Sequence, residues 1–195
     1  MATVKNSDLA EHLFYLNGAK FHIDPVDMQH LMPVYNEESD ATLLMYGRQT
    51  HKSTTIGNKL MLPVLTIPNF HSVYVAPTGK QVSVFSDDKL KGMSMESPII
   101  MEAFLDKHTK DQVSYKEFSN SSKIYLRSSF HSPDSIRGIS GDQTCFDEMQ
   151  DLIQDHIPVI EQCMGHSIAK SHHLRERYPN MPLHYFNSKI YAGTP

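Results

Sequence analysis

The sequence predicts an α/β fold with a mainly parallel central sheet flanked by helices, on three observations. An apolar run at 41–46 ends abruptly in a polar loop, and a helix-compatible segment follows from Lys52. A second buried-strand pattern at 72–76 runs through Pro77-Thr78-Gly79 into a segment whose apolar side is Val82, Phe85 and Leu90. A third strand pattern at 143–146 leads directly into Asp147-Glu148. Strands alternating with helices imply parallel pairing, with the helices on the faces of the sheet.

With 195 residues, 39% of them hydrophobic, the chain has the length of one domain and enough apolar surface for a sizeable core. Its formal net charge of -4 argues against nucleic-acid binding through bulk positive charge, so any DNA contact is expected to be local. Cys145 and Cys163 are isolated thiols with no C-x-x-C pairing, which suggests neither a zinc site nor a disulfide framework and fits a reducing compartment. The N-terminus lacks a basic segment followed by a long apolar one, and no window approaches the roughly 18 apolar residues that span a bilayer.

Along the chain, Leu9, Leu13, Phe14 and Leu16 suit an N-terminal helix lying on a larger body, so residues 1–20 are expected to form an arm and 21–195 the domain. Asp24 followed by Pro25 predicts a helix opening there, with Gln29 projecting from it. The helix from Lys52 is expected to run to about Leu62, where Pro63 interrupts it. Ser97-Pro98 marks another helix start, and residues 113–118 and 123–126 read as an antiparallel pair. The loop 128–142 carries Arg137-Gly138, which could reach a phosphate or a neighbouring subunit. Residues 149–163 have a helical pattern with Pro158 as a break, and 184–192 read as a final strand. The later histidines lack the spacing of a metal site and read as scattered surface residues.

The chemistry concentrates in Gly47-Arg48-Gln49-Thr50-His51-Lys52-Ser53-Thr54. A strand, a short loop and a helix opening on Lys-Ser place backbone N–H groups and a positive helix end around an anion. Lys52 would then reach the β and γ phosphates of a nucleotide, and the Ser53 hydroxyl would hold Mg²⁺. The G-x-x-x-x-G-K-[ST] pattern asks for glycine where this chain has Tyr46 and His51, and a polar loop with a solvated lysine would look similar. Without glycine at 51, either the loop uses ordinary dihedrals or it binds nucleotide poorly. Downstream, Asp147 is suited to Mg²⁺ and Glu148 to polarising an attacking water. Gln29, shortly before the loop, could hydrogen-bond an adenine edge.

Taken in order from about Phe21 to Pro195, these pieces resemble the ATPase domain of the large terminase subunit of tailed bacteriophages. The resemblance rests on residues 48–54 as a variant phosphate loop, Val75-Ala76-Pro77-Thr78 after the second strand, Arg137-Gly138, Phe146-Asp147-Glu148 and Ala192-Gly193-Thr194-Pro195. It implies a RecA-like P-loop ATPase domain, here truncated after the coupling-motif strand, hydrolysing ATP with Mg²⁺ to drive double-stranded viral DNA into a procapsid. It assigns residues 49–54 and Gln29 to nucleotide, Ser53 and Asp147 to metal, Glu148 and Arg48 to catalysis, and Gly193 and Thr194 to coupling. It also implies a homo-oligomeric ring, a portal protein, a small terminase subunit and the host cytoplasm. No nuclease is expected in this chain, so a separate nuclease-bearing chain could supply it. The family topology places the strand before Gly193 between the phosphate-loop strand and the acidic-pair strand. Two other readings stay open, a superfamily 2 helicase-like ATPase and a non-catalytic split-gene fragment; Met149-Gln150 after Asp-Glu disfavours the helicase.

Overall fold

The computed structural model describes residues 4–47, 49–106, 109–129 and 136–195; Arg48 and most of the centre of the 128–142 loop lie outside the described residues. Helix α1 (Asn6–Leu13) is shorter than the apolar pattern suggests, because Leu16 belongs to a hairpin of β1 (Tyr15–Leu16) and β2 (Ala19–Lys20). Asn17-Gly18 turns that hairpin with positive φ at both residues, the conformation this dipeptide favours in tight hairpins. No helix opens at Pro25. The Asp24 carboxylate accepts the N–H groups of Val26 at 2.7 Å and Asp27 at 2.9 Å, closing a local turn instead, and α2 forms later, at Leu31–Tyr35.

Strand β3 (Ala41–Met45) feeds α3 (Lys52–Thr66), which passes straight through Pro63. Burial overrides the proline: it is itself buried, and its neighbours Leu60, Met61, Leu62, Val64 and Leu65 are each no more than 4% exposed. Neighbouring side chains also serve carbonyls of that helix, Ser72 donating to Leu60 at 3.1 Å and Asn120 to Val64 at 2.8 Å. After β4 (His71–Ala76), Thr78 caps α4 (Gly79–Val84) in a capping box with Gln81. The helical path continues through a π-helical segment, Phe85–Lys91, into α5 (Gly92–Glu96), and α6 (Pro98–Phe104) follows a Ser97 cap.

The expected antiparallel pair is β6 (Tyr115–Glu117) with β7 (Lys123–Ser128), extended by a short β5 (Asp111–Gln112). Strand β8 (Gln143–Phe146) leads to the acidic pair. The helical pattern expected over 149–163, with Pro158 as a break, resolves into 3-10 turns flanking α7 (His156–Glu161), which takes Pro158 in its first turn. Helix α8 (Ser167–Arg177) precedes β9 (Ser188–Gly193).

The sheet order is β3-β9-β8-β4-β7-β6-β5, with β3, β9, β8, β4 and β7 mutually parallel. The last strand therefore lies between the phosphate-loop strand and the acidic-pair strand, as expected. Tyr74, Cys145 and Ile190 face the cluster built on α3, whereas Val73, Val75 and Phe146 face Leu152 and Ile160 on the other side. At the amino ends of the strands, buried Asp142 holds Lys170 of α8 at 2.6 Å and accepts the His71 N–H at 2.8 Å. Among the described residues, no helix is long and apolar enough to cross a membrane.

Two consequences follow for stability. Deleting residues 185–195 removes β9, which is paired on both sides, and is expected to abolish the cooperative circular-dichroism melt; an unchanged transition would contradict the central placement. Lys59 on α3 is buried and donates to the Val34 carbonyl at 2.7 Å, and burial lowers its pKa from 10.5 to about 8. Between those values the unfolded chain binds the extra proton, so the folded state gains stability as pH rises from about 8 towards 10.5. Lys59→Met is expected to flatten that rise in melting temperature, measured against wild type across the same range.

Candidate functional site

The loop at 47–54, the Asp147-Glu148 pair and Thr194 lie at the carboxyl ends of the parallel strands β3, β8 and β9, where open α/β sheets gather their ligand contacts. The loop leaving β3 is tightened by Thr50, whose hydroxyl donates to the Gly47 carbonyl at 2.7 Å. Gln49 (φ 61°) and His51 (φ 63°) both adopt the left-handed conformation. The loop therefore does not use ordinary dihedrals at His51. The position keeps the backbone geometry that glycine favours, and a histidine, a residue enriched in that region, is held in it. His51 offers no side-chain cap to α3, leaving the first-turn N–H groups available to an anion in the cavity of about 410 Å³ that residues 49–54 line.

Lys52 is the hub. Its buried ammonium donates to Glu148 Oε1 at 2.6 Å and lies 3.3 Å from Asp147 Oδ1 and 3.4 Å from the Thr194 hydroxyl. Burial alone would lower its pKa, but the hydrogen bond to Glu148 and the charges of Asp147 and Glu148 outweigh that and hold it above the ordinary lysine value. Glu148 shows the mirror effect: burial works to raise its pKa, yet the hydrogen bonds from Lys52 and Gln150 hold the carboxylate below its usual range. Glu148 itself is left-handed (φ 49°), a strained backbone pinned by its N–H donating to Asp147 Oδ1 at 2.9 Å.

Three residues that the sequence did not flag complete the arrangement. The Tyr74 hydroxyl donates to Asp147 Oδ2 at 2.9 Å, and burial pushes the phenol pKa far up, so it stays a neutral donor. Gln150 donates to Glu148 Oε2 at 2.6 Å and accepts the Thr194 N–H at 3.4 Å, linking the acidic pair to the chain's closing segment. Lys89, from the π-helical segment, lines the same cavity as the loop. Tyr74 and Gln150 reach partners carried by other strands, and Lys89 comes from an irregular helical segment, neither of which spacing along the chain reveals.

Of the expected site residues, Gln49, Thr50, His51, Lys52, Ser53, Thr54, Glu148 and Thr194 line one cavity. Ser53, Asp147 and Glu148 line an adjoining one of about 290 Å³. Gly193 abuts Gln150, whose Oε1 would stand 3.1 Å from an added Cβ. Gln29 is exposed on the turn after Pro25 and lines neither cavity; its neighbour His30 packs its ring edge-on against Tyr46, 5.6 Å between centroids. Arg137 is not brought to the loop. It lines a separate cavity with Cys163 and His166, beside Ser140, whose carbonyl meets His71 at the amino end of β4. Arg48 lies outside the described residues.

A hydroxyl and a carboxylate converging on one cavity suit Mg²⁺, which keeps several waters and takes few protein ligands. A mainly parallel sheet with a strand-loop-helix turn after β3 and an acidic pair two strands away is a RecA-like arrangement. More narrowly, the fold is that of large terminase ATPase domains from several phages. The HK97 bacteriophage large terminase superposes with a TM-score of 0.69 at 14% identity, over 97% of this chain and 37% of that one. The large terminase ATPase domain of Thermus phage P74-26 gives 0.68 at 16% identity, over 99% and 71%. The large terminase of a further thermophilic bacteriophage, in complex with ADP, gives 0.51 at 11% identity, over 80% and 33%. The chain thus spans little more than a third of the HK97 protein. No protein-family model and no curated protein sequence matches it.

The loop backbone yields a direct test. His51→Gly relieves about 1–2 kcal/mol of left-handed strain but adds unfolded-state entropy worth roughly 0.5–1 kcal/mol. Its denaturation midpoint is therefore expected near wild type. His51→Val, β-branched, is expected to lose about 1–3 kcal/mol. A glycine variant as unstable as the valine one would mean that the imidazole, not the backbone, carries the position.

Proposed function

We propose that this chain is an ATP hydrolase of a viral DNA-packaging motor, the ATPase part of a terminase large subunit. The observation that carries the reading is Lys52, at the head of α3, held by Asp147 and Glu148 at a cavity whose other wall is the phosphate loop. The likeness to terminase ATPase domains supports the packaging role over other uses of the same fold.

In this reading the loop N–H groups and Lys52 bind the phosphates, and the positive end of α3 favours their charge. Mg²⁺ would be held by Ser53 and Asp147 and would neutralise charge on the phosphates. The arriving phosphate competes with Glu148 for the Lys52 ammonium. Glu148, freed from that ion pair, takes the proton of the attacking water as general base. Tyr74 keeps Asp147 fixed meanwhile. Gly193 and Thr194, joined to Glu148 through Gln150, would pass the change on to DNA movement. The ring, the portal protein, the small subunit and a separate nuclease-bearing chain belong to the same proposal, as do the adenine role of Gln29, the catalytic role of Arg48, an inter-subunit role for Arg137 and the division at residue 20.

ATP turnover by the purified chain tests it. Glu148→Gln is expected to retain nucleotide binding and lose about 10²- to 10⁴-fold in rate. Lys52→Ala is expected to weaken binding itself. Turnover left intact by both substitutions would refute the assignment.

A further inference from the structure

The helical stretch after β4 changes its winding where it passes the site. Phe85–Lys91 forms a π-helical segment between α4 and α5, a rare geometry that is frequent at functional sites. Phe85, Ser86 and Leu90 are buried beneath it. Phe85 stacks flat on Tyr74, 3.9 Å between centroids and 2° between planes, and Tyr74 in turn donates to Asp147. The segment is therefore registered on the acidic pair through two rigid aromatic rings.

Lys89, half-buried, projects from this segment and lines both the phosphate-loop cavity and the adjoining cavity. The residues shared by the two cavities are Ser53, Lys89 and Glu148. That shared border is where a hydroxyl for the metal and the general base converge, so it is where a terminal phosphate would sit. Lys52 reaches it already neutralised by two carboxylates. Among the described residues no carboxylate pairs with Lys89. A partly desolvated ammonium without an anion is unfavourable, and a polyphosphate would supply one.

We propose that Lys89 is a second phosphate-binding cation, delivered in cis by the π-helical segment, that contacts the terminal phosphate of a bound nucleoside triphosphate. This rests on the ATPase reading above. In the ground state the lysine distinguishes triphosphate from diphosphate. In the transition state it meets charge spread over the transferred group's equatorial oxygens.

Affinities of the whole chain for ATP and ADP, each with Mg²⁺, test the proposal with Lys89→Ala and Lys89→Arg. Lys89→Ala is expected to lose about 10- to 100-fold in ATP affinity, the range of a hydrogen bond between charged groups, with ADP affinity and the melting temperature unchanged. Lys89→Arg is expected to recover most of the loss, because it restores the charge. Equal weakening of ATP and ADP together with a lowered melt would make Lys89 structural and overturn the proposal. Unchanged ATP affinity in Lys89→Ala would overturn it while leaving the ATPase reading intact. Wild-type chain that binds neither nucleotide would remove both.

Discussion

A single buried ammonium organises this molecule. Lys52 is barely exposed, and so is Asp147, with Glu148 closing the triangle at 2.6 Å from the lysine. Burying such charges costs several kcal/mol each, and the mutual attraction rarely does more than offset that cost. A well-packed apolar group would stabilise the fold as well or better. What an apolar group could not do is exchange partners: an ammonium held by carboxylates can be taken by another anion, which releases a carboxylate for chemistry. In the ATPase reading proposed above, the network is a resting state prepared for that exchange.

The sheet order is what makes the exchange possible. Residues 52 and 148 are far apart in sequence and meet only because β9 spaces β3 from β8 by one strand, so that loops leaving two parallel strands converge over the third. The opposite end of the sheet is closed by polar ties of another kind. Asp142 binds Lys170 and the backbone of His71, while its carbonyl accepts from Asn187 at 2.7 Å and from Ser167 at 3.2 Å. These contacts fix the entry of β8 and β9. One end of the sheet is locked and the other is poised.

How much of this the sequence disclosed follows from which interactions are local. The parallel sheet, the loop and the acidic pair were legible because strand, turn and helix patterns are written in consecutive residues. Pro25 misleads because an aspartate before proline can cap a helix or close its own turn, and only the packing of residues 31–35 decides between them; there Tyr35 accepts from Asn58 at 2.7 Å. Pro63 misleads because helix propensity takes no account of burial, and the centre of α3 is fully enclosed. As members of the site, Tyr74, Gln150 and Lys89 left no signal. Each owes its place to a neighbour in another strand or to an irregular helical turn, and neither has a sequence period.

Gln150 shows what that non-local chemistry adds. Its amide donates to Glu148 with one end and accepts from the Thr194 backbone with the other, while Thr194 also approaches Lys52. Thr194 follows β9, the strand flanked on both sides by those that carry the phosphate loop and the acidic pair. A movement of Glu148 away from Lys52 must therefore either drag the Gln150 amide or break its bond, and in both cases the segment after β9 feels it. Packed sheets do not stretch to absorb such a shift, because their interiors are dense and stiff. In the ATPase reading proposed above, the displacement would instead pass to Thr194 and the backbone that follows β9. In that reading a central strand ending at the site would convert an exchange of ion-pair partners into motion of the segment that follows it, without requiring any rearrangement of the sheet itself.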